Sequence, residues 1–102
     1  MESLKQIKDV VETLEALQDD LTPGTIHRCI DQLQSVLDNQ IDLYDSMSPD
    51  VQRCCNGEKV KHIIEMVDYC ISDLNEMLEL DKDDTEFTII LSVVIYELKA
   101  LL

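Results

Sequence analysis

The residues that break regular structure are confined to three places in this chain. Both prolines and both glycines fall at Pro23-Gly24, at Pro49 and at Gly57, and the rest of the sequence runs uninterrupted between them. Intervals of that length with so few turn formers have to be read by their hydrophobic period. Over 2–21 the apolar positions Leu4, Ile7, Val11, Leu14 and Leu21 keep a three- and four-residue spacing, with Gln18 the exception and Val10 and Leu17 on the flank. That period predicts an amphipathic helix. Thr22 then precedes Pro23, an N-cap followed by proline at the first helical position, where its missing N–H costs nothing. A second helix is expected over 23–47, with the seam Ile26, Ile30, Leu33, Leu37, Tyr44 and Met47; Gln40 is its polar exception, with Ile41 beside it.

Ser48-Pro49 repeats the cap-then-proline signal and predicts a short extra helical turn over 49–55, which Asn56-Gly57 is expected to end. Over 58–80 the seam Val60, Ile64, Val67, Ile71, Leu74 and Leu78 has no polar exception, and Ile63, Cys70 and Met77 widen it. A polar break over 81–86 leads into a last helix over 84–102, where Asp83 and Glu86 have the spacing of a capping box.

That last segment differs from the others. Phe87, Ile90, Leu91, Val94, Ile95, Leu98, Leu101 and Leu102 form one apolar face, and Ile89, Val93, Tyr96 and Ala100 form a second. A helix apolar on two faces has to be covered on two faces, either at the centre of a bundle or by another protein, a second copy of the chain included. Residues 85–96 are also rich in β-branched side chains, so a strand is the competing reading. With no second candidate strand it could pair only between chains, which favours the helix.

The whole 102-residue chain, 1–102, reads as a single acidic domain: all-α, an antiparallel bundle of four main helices with the extra turn near 49–55. One Phe, three Tyr and no Trp leave an aliphatic core. A chain this short buries only about two thirds of its unfolded surface.

No motif announces a chemistry. His27, Cys29, Cys54, Cys55, His62 and Cys70 lack the spacings of a zinc site, and adjacent Cys54 and Cys55 diverge by about 100° on a helix. Cys29 and Cys70 lie beside core positions, where free cysteine behaves as a small hydrophobe. The pair Cys54-Cys55, next to a turn, is the place for oxidation or modification. The acids Glu76, Glu79, Asp81, Asp83, Asp84 and Glu86 open like an EF-hand loop, but Glu86 stands where the loop needs Gly and Ser92 where it needs Glu. A solvated connector with capping acids is the expected role. With no nucleophile motif and no Gly-rich phosphate loop, no catalytic residue, cofactor or metal ligand is expected, and the chain reads as a non-enzyme.

Asp and Glu number 22 against 8 Lys and Arg, a net charge of −14. Each quarter of the chain carries three or four net negative charges, so the acidity is spread evenly along the sequence. Nucleic acids and anionic membrane surfaces are repelled, while a partner with a basic surface is attracted over long range. No apolar stretch reaches the length of a membrane span. The acidic first twenty residues do not resemble a signal or transit peptide, which places the protein in the cytoplasm, or the nucleus, with reduced thiols. The expected function is a non-catalytic interaction or regulatory protein, an adaptor, chaperone-like protein or assembly subunit, using Ile89, Val93, Tyr96 and Ala100 as the apolar contact. Two alternatives stand beside it: an acidic antagonist whose carboxylates mimic nucleic acid toward a basic protein, and a thiol or metal sensor using Cys54 and Cys55. The only local basic cluster is Arg53, Lys59, Lys61 and His62.

Overall fold

The computed structural model describes residues 2–16, 20–81 and 83–102. These form α1 (Glu2–Ala16), α2 (Pro23–Ser46), α3 (Pro49–Gln52), α4 (Cys55–Met77) and α5 (Thr85–Ala100), with no strand among the described residues. The fold is an all-α antiparallel bundle of four main helices, with α3 as the short extra turn. The β-branched run 85–96 is helical throughout.

The two cap-then-proline signals act as read. Thr25 N–H donates to Thr22 Oγ1 at 3.2 Å, and Val51 N–H to Ser48 Oγ at 3.4 Å. Thr22 also explains why the first helix does not continue to Leu21. An extended N-cap, with φ −97° and ψ 157°, turns the chain into α2, and Leu21 just before it is buried close to Ile26. This pair has the spacing of a hydrophobic staple, which fixes the entry angle of a helix. Leu17, Gln18 and Asp19, read as part of the first helix, lie outside the described residues.

Asn56-Gly57 does not end a helix. α4 begins at Cys55 and carries Gly57 in its first turn, and no glycine has a positive φ. What requires glycine is the approach of α3: a Cβ at Gly57 would collide with the backbone of Gln52. Gln52 in turn donates from Nε2 to the Tyr44 carbonyl at 2.8 Å, fastening α3 to the end of α2. At its other end α4 stops at Met77 rather than Leu80, and residues 78–80 close in turns. The cap of α5 is Asp84, not Asp83: its carboxylate accepts from Glu86 N–H at 2.9 Å.

α2 packs on α1 and α4, and α5 packs on α4 and α1, which closes the ring. At one end Leu21, Pro23 and Ile26 share a cleft with Met77, Leu78 and Phe87. At the other, Leu4 and Ile7 share a groove with Leu43, Met47 and Val60. α1 and α5 therefore start from opposite ends of the long α2–α4 pair, and their last turns meet where Lys99 Nζ reaches Glu15 Oε2 at 3.1 Å. The result is 48 Å long and 21 × 19 Å across, about two helices wide in each direction. Every main helix contributes to one core, from Ile7 and Leu14 through Leu33 and Leu74 to Leu98. Each such side chain contributes roughly 1.5–3 kcal/mol by its burial.

Candidate partner-binding face on the last helix

Around α5 the neighbours differ by direction. Phe87, Leu91, Val94, Ile95 and Leu98 point into the core and are buried. On the flank toward α4, Ile90 and Glu97 are half-buried, and on the flank toward α1 Lys99 meets Glu15. The four residues of the second apolar face lie within about 60° of arc opposite the core, at 100° per residue. Ile89 is 57% exposed, Val93 41% and Tyr96 76%, and Ala100 is exposed as well. The second face is thus not an inner layer of this chain. It is an apolar strip over three turns, with no charged residue between Glu86 and Glu97.

The α4–α5 flank is acidic and closed. Cys70 Sγ lies 3.7 Å from Glu97 Oε2. Burial, reinforced by the charge of Glu97, pushes the Cys70 thiol up from the usual 9.0 to about 12. Asp73 is also raised, first by burial and then by repulsion from Glu97. Cys29 is buried in the core and raised by burial, so both inner thiols are protonated and inert at neutral pH.

Cys54 and Cys55 are exposed at the α3–α4 junction, and Cys54 Sγ donates to the Val51 carbonyl at 2.9 Å. All four cysteines are free. His27 and His62 stand exposed on α2 and α4, apart from the buried cysteines. Among the described residues, no three His, Cys, Asp or Glu side chains converge on a point that could hold a metal ion. The acids Glu76, Glu79, Asp81, Asp83, Asp84 and Glu86 are all exposed around the α4–α5 connection. No helix among the described residues is long and apolar enough to cross a membrane.

The groove at the α1 end, of about 410 Å³, has no signature in the sequence because it is assembled from three separate segments. Its neighbourhood also breaks the even spread of charge. Segments 2–9 and 40–63, which surround it, hold five Lys and Arg against six Asp and Glu, whereas the remainder of the chain carries all but one of the net negative charges. The basic cluster Arg53, Lys59, Lys61 and His62 is part of this end, and Lys59 lines the groove itself.

The chain matches no family model, and comparison with curated proteins and with solved structures finds no match.

Proposed function

We propose that this protein is a non-catalytic interaction protein that engages another protein through the outer face of α5. The observation that carries the reading is the exposed strip Ile89, Val93, Tyr96 and Ala100, set opposite a complete inner face on the same helix. The fold does not use these side chains, and a contiguous exposed apolar strip on a small domain marks a contact surface. Tyr96 is the natural anchor, an amphipathic ring of the type enriched at interface hot spots. The acidic surface around the strip selects the approach: a net charge of −14 speeds encounter with a basic surface and repels an acidic one.

The test pairs solution mass with substitution. Light scattering in reductant, at low and high salt, reads whether the strip is covered by a second copy. Affinity capture on wild-type protein and on the Ile89→Glu, Val93→Glu double variant then identifies what it holds. The reading expects a partner, or a dimer, that is lost in the double variant while helicity and unfolding midpoint stay near wild type. A partner retained equally by both proteins overturns it, and so does unfolding of the double variant, which would make the strip part of the core.

A further inference from the structure

The groove at the α1 end is separate from the α5 strip and has a different character. It is concave, and its floor is aliphatic: Leu4, Ile7, Leu43, Met47 and Val60. Set into that floor is Gln40, a polar side chain only 6% exposed. At the rim stands Lys59, an exposed cation that forms no ion pair among the described residues. Lys59 belongs to the second turn of α4, a helix whose N-cap Cys54 accepts no hydrogen bond from the helix's first amides through its side chain. The positive end of that helix dipole therefore adds to the lysine.

A mostly apolar cavity of about 410 Å³ with a few placed polar groups has the size and make-up of a small-molecule site. Nine residues line it, fewer than the roughly 20–30 that each side of a stable protein interface contributes. Its surroundings are close to neutral in a chain of net charge −14, so an anion is repelled less here than over the rest of the molecule.

We propose that this groove binds a single-chain aliphatic carboxylate, with the chain on Leu4, Leu43, Met47 and Val60, the headgroup at Lys59, and the Gln40 amide as a second polar contact. The charge-assisted bond to Lys59 fixes the orientation, and the aliphatic floor supplies most of the affinity.

Dodecanoate, below its micellar concentration, is the probe, titrated calorimetrically into the full chain. One saturable site per chain is expected. Lys59→Glu and, separately, Leu43→Glu should weaken it at least tenfold; both positions are exposed enough to leave the fold intact, which circular dichroism checks. Lys61→Glu, on the same helix but outside the groove, should change the affinity less than twofold. The Ile89→Glu, Val93→Glu variant should bind as wild type does, which separates this site from the α5 face. Absence of a saturable site overturns the proposal. Equal loss in Lys59→Glu and Lys61→Glu would reduce it to general charge attraction and overturn it too. Binding of dodecyltrimethylammonium as tight as that of dodecanoate would count against it in the same way.

Discussion

α4 and α5 lie side by side, and both bury a full aliphatic face, yet they treat their outer surfaces differently. α4 carries charge around most of its circumference, with Tyr69 the large apolar residue left in solvent. α5 leaves Ile89, Val93 and Tyr96 there instead. Both inner faces are apolar because they serve the same core. The difference outside teaches that apolarity around a helix measures two demands, folding and contact, and only burial separates them. Inner positions of both helices should therefore be costly to change, and outer positions of α5 should be nearly free for stability.

The sharpest break of that comparison is a truncation series. Leu74→Ala in α4 and Leu98→Ala in α5 each remove a fully buried side chain and should cost about 2–5 kcal/mol in denaturant unfolding. Tyr96→Ala, at a position 76% exposed, should stay within about 0.5 kcal/mol of wild type. If Tyr96→Ala costs as much as Leu98→Ala, the two faces of α5 are not distinct.

Gly57 tests the start of α4. Alanine is ordinarily better than glycine in a helix by roughly 1 kcal/mol. Here its Cβ would meet the Gln52 backbone, which cannot move without displacing α3, so Gly57→Ala should destabilise by about 1–3 kcal/mol. A stabilised variant would show that α3 can move away.

The thiols separate surface from seam. Cys54 and Cys55 should react with a disulfide reagent in the native protein, and Cys29 and Cys70 only after unfolding. Cys70 adds a pH signature, because its folded pKa of about 12 lies above the ordinary 9.0. In that window the unfolded thiol loses its proton and the folded one keeps it. Stability is thus fully present below about pH 9 and falls as pH rises toward 12, by up to one proton's worth of slope. Cys70→Val should remove that part of the alkaline decline; an unchanged decline would mean that Cys70 ionises freely in the fold.

How much of this was readable beforehand follows from how local each cause is. The caps at Thr22 and Ser48 act within four residues, and both were legible. Asp83 and Asp84 are adjacent acids of similar promise, and only the path of the chain chooses Asp84. Asn56-Gly57 looks like a turn in sequence because a close approach and a positive φ both call for glycine. The centre of the α4 seam depends on which side α5 packs: Cys70 and Met77, read as flanking, are fully buried, while Leu78 is only half-buried. Periodicity did separate the two faces of α5, since both faces lie on one helix. The groove needed three segments brought together, and no one-dimensional pattern holds that.

The smallest expected effect sits where α4 and α5 meet at the surface. Asp73 is pushed upward by burial and by Glu97 across the seam, so its charged form is less favourable in the folded state than in the unfolded one. The penalty is absent below the ordinary value of 3.8 and develops as pH rises through the folded pKa. Asp73→Asn should therefore stabilise at pH 7 and lose that advantage near pH 3. Because the group is largely solvated, the gain should stay below about 1 kcal/mol and shrink with added salt. Glu97→Gln should give a smaller gain at pH 7, because the burial of Asp73 remains, and the two substitutions together less than their sum, since both remove the same repulsion. Full additivity would mean that Asp73 and Glu97 do not sense each other, and that the seam between the two helices is wetter than their packing indicates.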